Sequence, residues 1–237
     1  YTCLAPINGV ISEFPLHLFL STPEPMKSQA QLRQSLLGLH QFRRNGIDFK
    51  VNVERVEVER EGMGAYHYAQ QQGHIPDTGY TIVVDIGGGT WITRIIDAEG
   101  EVIDENVMNR GGTYELATSI SFDKRLTSVL GTTADPSVVM DGFRHGHTYA
   151  DTELSWTEWL DEHLDPWFKG IFQTVKAQYT PYMARVTRFL VTGGGSHLIH
   201  DRLAGRKLFW VMNDPQFANV RGLFLLSDDI QLCMTTK

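Results

Sequence analysis

The sequence predicts a two-domain α/β protein, and three observations carry that expectation. Strand patterns alternate with helical ones along the whole chain. Twice a strand runs into three consecutive glycines, Gly87-Gly88-Gly89 and Gly193-Gly194-Gly195. Between a charge-rich first part and a strand-rich second part, residues 73–79 form a polar stretch holding Pro76 and Asp77, which reads as a domain boundary. At 237 residues and 42% hydrophobic, the chain is long enough to bury a substantial core.

The elements follow in order from local pattern. Residues 16–21 are a buried strand, stopped by Thr22-Pro23-Glu24-Pro25 because proline cannot donate to a sheet ladder. Leu32, Leu36, Leu37, Leu39 and Phe42 recur at roughly helical spacing, so a helix is expected over 29–44, with Asn45-Gly46 as its stop. Residues 49–58 alternate apolar with polar, the mark of a strand with one wet face. Gly62-Met63-Gly64 opens a short helix reaching about residue 72. Residues 80–86, 91–97 and 101–107 form three strands of a meander, followed by a helix over 112–126. A polar stretch with Gly131, Pro136, Gly142 and Gly146 leads to a long helix over 155–179. There Trp156, Trp159, Trp167, Phe168 and Phe172 form an aromatic stripe that reads as core packing, and Pro166 marks a kink or a junction of two helices. A strand over 186–191, the second glycine turn, a helix over 197–203, a short strand over 209–211 and a closing helix over 216–226 complete the chain.

Composition narrows the functional classes. A formal net charge of −7 opposes broad direct contact with nucleic acid, whose nonspecific affinity comes from Lys and Arg. Arg33, Arg43, Arg44 and Lys50 could form a local basic patch but read as a solvated face. The longest apolar runs, 16–20 and 223–226, fall well short of the roughly 20 residues that span a bilayer, so no membrane partner is expected. Cys3 and Cys233, without CxxC spacing, indicate neither a disulfide scaffold nor a zinc site and fit a reducing cytoplasm. The chain begins with Tyr1 and shows no leader pattern, so processing or a cut upstream is expected.

The chemistry concentrates at Asp85-Ile86-Gly87-Gly88-Gly89-Thr90. A turn without Cβ atoms lets phosphate oxygens approach backbone N–H groups, which form an anion nest, and Thr90 adds a hydroxyl donor. Each such charge-assisted bond contributes on the order of 1.5–3 kcal/mol. Asp85 would repel phosphate directly; its natural work is to hold a magnesium-bound water or to orient an attacking water. Gly193, Gly194 and Gly195 follow a buried strand and open a helix, an arrangement that lets a flat base or a phosphate lie on bare backbone. His145-Gly146-His147 resembles a metal pair, but with no third ligand nearby it reads as a polar loop.

These two turns, with the ending Asn213-Asp214-Pro215-Gln216-Phe217-Ala218-Asn219-Val220-Arg221-Gly222, resemble the plasmid-segregation actin-like proteins of the ParM/StbA type. The likeness extends to Phe19-Leu20-Ser21-Thr22-Pro23 and to Val58-Glu59-Arg60-Glu61-Gly62-Met63-Gly64-Ala65-Tyr66, five pieces in register over nearly the whole chain. The resemblance implies an actin-like, ribonuclease H-like two-domain fold. It places part of domain I in residues 1–79 and domain II in 80–212, with a C-terminal helix returning to domain I over 213–237. It puts Gly87, Gly88, Gly89 and Thr90 on the terminal phosphates of ATP or GTP, and Asp85 on Mg2+ or the lytic water. Glu61 would position that water, Gly193, Gly194 and Gly195 would line the base pocket, and Glu115 would reach the ribose. It implies a filament of identical subunits coupled to plasmid DNA through a DNA-binding adaptor protein. Kinases, DnaK-type chaperones and a degenerate scaffold without turnover share the fold and are the rival readings.

The sequence departs from this family at one point. No first phosphate hairpin, an Asp-x-Gly turn near the N-terminus, precedes Asp85. Domain I is therefore expected to be incomplete, either because the chain is a fragment or because it is a naturally shortened member, and in the shortened case hydrolysis is in question.

Overall fold

The computed structural model describes residues 12–235, with side chains as far as residue 227. A small first sheet comes from β1 (Glu13–Thr22), β2 (Gly38–Arg44) and β3 (Ile47–Arg60), in the order β1-β3-β2. β1 runs parallel to β3 and β2 antiparallel to it. Along β3, Phe49, Val51 and Val53 are buried while Lys50, Asn52 and Glu54 are exposed, as its alternation requires. With Leu18 and Val56 they form the core of this sheet.

The helix expected over 29–44 is corrected here. Helix α1 (Pro25–Leu36) stops at Leu36, and residues 38–44 are strand β2. Asn45 and Gly46 have φ of 51° and 80° between the paired residues Arg44 and Ile47. That is a two-residue hairpin turn, not a helix stop, and it sets the register that stacks Phe42 on Phe49 at 5.4 Å.

The second sheet has five strands in the order β6-β5-β4-β7-β8: β4 (Tyr80–Ile86), β5 (Trp91–Ile96), β6 (Val102–Met108), β7 (Val186–Thr192) and β8 (Phe209–Val211). The first three form the expected antiparallel meander, and β7 and β8, joined through a 3-10 turn (Ser196–Ile199) and α7 (His200–Leu203), extend it in parallel. β4 and β5 are buried along almost their whole length because both faces of this sheet are covered. Ile82, Val84, Ile86 and Ile95 pack with α3 (Thr113–Ser121) and α6 (Leu160–Gln178). Val83, Ile96 and Leu190 point the other way, into a core with Met63, Ala65, Tyr66 and Ala69 of α2 (Met63–Gln71) and Ala218 of α8 (Ala218–Thr235). Thus α2, which precedes the polar stretch 73–79, packs on the second sheet.

Four further departures are local. The helix expected over 112–126 is two helices, because Asp123 caps α4 (Lys124–Leu130) by accepting the Arg125 amide at 2.8 Å. The polar stretch contains α5 (Pro136–Gly142), capped by Asp135 with proline at its first turn. A 3-10 turn (Thr157–Trp159) precedes α6, which runs through Pro166 as one helix. The closing helix starts at Ala218 and reaches Thr235. The aromatic stripe is core and near-core: Trp156 is fully buried, and Trp167 donates its indole N–H to the Gly111 carbonyl at 2.9 Å.

Candidate functional site

The first glycine turn links β4 to β5 and is held from behind. The Gly87 amide donates to the Thr90 carbonyl at 2.9 Å, closing the turn. The first amides of α3 donate to it from outside, Thr113 to the Gly87 carbonyl at 3.1 Å and Tyr114 to the Gly88 carbonyl at 2.8 Å. With the carbonyls turned toward α3, the amides of Gly88, Gly89 and Thr90 find no acceptor among the described residues. A Cβ at Gly88 or Gly89 would meet nothing within 4 Å, and neither has a left-handed φ. Neither a left-handed φ nor a neighbour requires glycine at these two positions.

The second turn follows β7 and lies against the first. Gly195 donates to the Ile86 carbonyl at 2.8 Å, and Gly193 donates to the Pro215 carbonyl at 3.1 Å, as does the Thr192 hydroxyl. Here two of the three glycines serve the fold. Gly193 has φ +85°, and a Cβ on it would come within 2.5–2.7 Å of the Ile86 backbone. A Cβ on Gly195 would lie 2.5 Å from Thr113 Cγ2. Gly194 alone has open space on its flank and an amide without an acceptor among the described residues.

Two cavities meet at Gly194. One, of about 240 Å3, has Asp85 and Glu61 in its wall with Gly87, Gly193 and Asn219. The other, of about 200 Å3, runs from Gly88 and Thr113 past Gly195 and His197 to Ser137, Asp141 and Arg144 around α5. The structure therefore brings together Asp85, Glu61, Gly87, Gly88, Gly193, Gly194 and Gly195, with Gly89 and Thr90 on the same turn. It does not bring Glu115 there. That residue lines a separate cavity of about 640 Å3 with Trp91, Arg110 and Trp167.

Asp85 is 8% exposed and accepts no hydrogen bond among the described residues. Burial, reinforced by the nearby Glu61 carboxylate and opposed by Arg94, pushes its carboxyl up to about 7. Glu61 is raised as well, by burial first, with Arg94 working against the rise. Two carboxyls whose pKa burial raises are the oxygen donors a hard cation wants, and a positive charge between them would relieve both. Among the described residues no group of three or more His, Cys, Asp or Glu is placed to hold a metal. Magnesium takes one or two protein carboxylates and completes its shell with water and phosphate, so Asp85 and Glu61 are the residues that would hold it.

Sequence reasoning missed Arg94, fully buried in the middle of β5, and Asn219, whose side chain reaches the start of α2. The Asn219 carboxamide oxygen accepts from Gly62 at 3.1 Å and Ala65 at 3.4 Å, and its amide donates to Ser21 Oγ at 2.8 Å. A charged residue inside an otherwise apolar strand, Trp91-Ile92-Thr93-Arg94-Ile95-Ile96, was the available signal for the first. No local pattern marks the second. Of the basic patch, Arg33 pairs with Glu57, Arg43 with Asp48 and Lys50 with Glu13, so acids accompany these cations.

No protein-family model matches the chain. It is 24% identical over 185 residues to the archaeal actin homolog of Thermoplasma acidophilum, and 23% identical to that of Thermoplasma volcanium. Each match takes in 72% of this chain and 54% of the relative, so the chain spans about half the length of the curated relatives it matches. Among solved structures, the archaeal actin homolog Ta0583 in complex with ADP superposes with a TM-score of 0.77 at 20% identity, over 90% of this chain and 72% of that one. A 15-stranded ParM filament from Clostridium botulinum gives 0.69 at 14% identity, over 89% and 66%. Apo ParM of pSK41 gives 0.63 at 20% identity, over 94% and 67%. No helix among the described residues is long and apolar enough to cross a membrane. A two-faced sheet carrying paired glycine turns, superposing on these structures across nine-tenths of its length, makes this chain an α/β protein of the actin-like fold.

Proposed function

We propose that the chain is the nucleotide-binding part of an actin-like protein that takes ATP or GTP with Mg2+ and assembles with copies of itself into a filament. By the resemblance to ParM/StbA-type proteins, the filament moves or positions plasmid DNA in the cytoplasm through a DNA-binding adaptor, without direct contact of this chain with nucleic acid. The observation that carries the nucleotide reading is the set of open amides at Gly88, Gly89, Thr90 and Gly194, on bare backbone where two cavities join. Phosphate oxygens would accept from the first three, with the Thr90 hydroxyl as a further donor. The base and ribose would lie over Gly194, toward α5.

Asp85 and Glu61 divide the remaining work. Asp85 is the residue to hold Mg2+, through a water, or to orient the attacking water, and Glu61 lines the same cavity where it could position that water or take its proton. Bound Mg2+ would supply charge neutralisation on the phosphates. ADP in the related Ta0583 structure and the filament form of Clostridium botulinum ParM support nucleotide and self-association as the partners to test. Calorimetric titration with ATP and GTP in the presence of magnesium should show saturable binding. Absence of heat at submillimolar protein would overturn the nucleotide reading in favour of a scaffold. Light scattering and pelleting with nucleotide should show assembly; a strict monomer would refute the filament.

A further inference from the structure

Arg94 is 1% exposed and pairs in register with Val83, on the sheet face that otherwise carries the apolar core against α2. A buried guanidinium is costly unless its donors are met. Its three nitrogens reach three places. Nη2 donates to the Pro23 carbonyl at 2.9 Å, Nη1 to the Glu61 carbonyl, and Nε to Glu105 at 3.1 Å. Pro23 and Glu61 are where the chain leaves the parallel strands β1 and β3, so one side chain of the second sheet grips both strand ends of the first. Arg60 joins the same Glu105 carboxylate at 3.5 Å.

Asn219 grips the same two segments at other atoms, accepting from the Gly62 and Ala65 amides and donating to the Ser21 hydroxyl oxygen. Carbonyls go to Arg94 and amides to Asn219. Between the two grips sits Glu61, whose residue lines the cavity that Asp85 also lines. A Cβ at Gly62 would stand 3.7 Å from both the Arg94 Nη1 and the Asp85 Oδ2, so the guanidinium and the carboxyl flank the same glycine.

We infer that Arg94 is a positioning residue: by holding the Pro23 and Glu61 carbonyls it fixes Glu61 at the Asp85 cavity and ties the end of the three-stranded sheet to the phosphate hairpin. Its chemical consequence rests on the nucleotide reading above. The geometry needs the planar fork, because three divergent acceptors cannot be met by the point charge of a lysine in the same orientation.

The test compares Arg94→Met and Arg94→Lys with the wild type, both checked for folding by circular dichroism. Nucleotide dissociation constants are expected to move by less than about threefold, while single-turnover hydrolysis falls by about tenfold or more in both variants. An Arg94→Lys protein that turns over at the wild-type rate would overturn the inference, since charge would then suffice. Equal loss of binding and turnover in folded variants would overturn it too, as a general structural effect. A wild type that binds no nucleotide sinks the reading of the site instead; there, and for a wild type that binds without turnover, amide exchange decides. Exchange at residues 61–65 should be faster in Arg94→Met, and unchanged exchange refutes the grip. Should Arg94→Met not fold, Arg94→Lys carries the same comparisons.

Discussion

The two glycine triplets are identical in composition and opposite in cause. At 87–89 the glycines at 88 and 89 answer to nothing inside the protein: no left-handed φ, no neighbour within 4 Å. At 193–195 the outer two are imposed by the fold, one by φ and backbone approach and one by packing on Thr113 and Ile86, and only the middle glycine is open. Glycine content therefore says little by itself about a ligand. The residue-by-residue reason for the missing Cβ separates a turn that must be bare to fold from one whose bareness the fold does not require.

The comparison can be broken most decisively at Gly193. Gly193→Ala should destabilise by upwards of about 3 kcal/mol, through left-handed strain and overlap with the Ile86 backbone, and read out as a large fall in denaturant midpoint. A folded Gly193→Ala protein of wild-type stability would erase the distinction.

Asp85, which opens the first turn and presses its carboxyl against Gly193, should give the next largest effect. Its folded pKa of about 7 lies above the ordinary 3.8, so the folded state holds the proton more tightly than the unfolded state. The stability contribution is fully present below the unfolded value and is lost as pH rises through 7, by up to roughly 4 kcal/mol without nucleotide or magnesium. Chemical denaturation at several pH values should show this decline in the wild type and a flatter profile in Asp85→Asn.

Gly195→Ala should cost about 1–3 kcal/mol, since Thr113 Cγ2 and Ile86 Cγ2 are side-chain atoms that can yield partly. Smallest on stability are Gly88→Ala, Gly89→Ala and Gly194→Ala, expected within about 0.5 kcal/mol of the wild type. These three should nevertheless weaken nucleotide binding by about tenfold or more, which calorimetry reads directly. A large stability loss with unchanged binding would invert the assignment.

Much of both sheets was legible because their signals are local. A polar-to-glycine change closes β4, a Gly-rich turn closes β7, and alternation fixes β3. The failures share one physical origin, a signal whose meaning depends on what lies beyond it. Asn45-Gly46 ends a helix or turns a hairpin equally well, and the strand across the turn decides. Asp123 and Asp135 start helices by taking the Arg125 and Ser137 amides on their side chains, contacts that an aspartate in a polar stretch does not announce. At the site, the residues before and within the two turns were legible from backbone chemistry. Glu115, set at the ribose by the resemblance, lies in the first turn of α3 and lines the Trp167 cavity. Arg94 and Asn219 act on residues distant in the chain, so no window of sequence displays their partners.

The Asn219 carboxamide lies 157 positions from the Gly62 amide it receives. Where α2 and α8 cross, Gly222 approaches the Gly64 carbonyl so closely that no side chain fits. The wall of the Asp85 cavity is therefore unfinished until α8 has docked. During synthesis, a ribosome-bound chain that has emerged only through β8 would own both glycine turns and still lack Gln216, Asn219 and Val220 from that wall. Loop closure over so long a separation comes late in folding. Nucleotide capture would then report that α8 has emerged and docked, and a nascent chain stalled before it should pass nucleotide by.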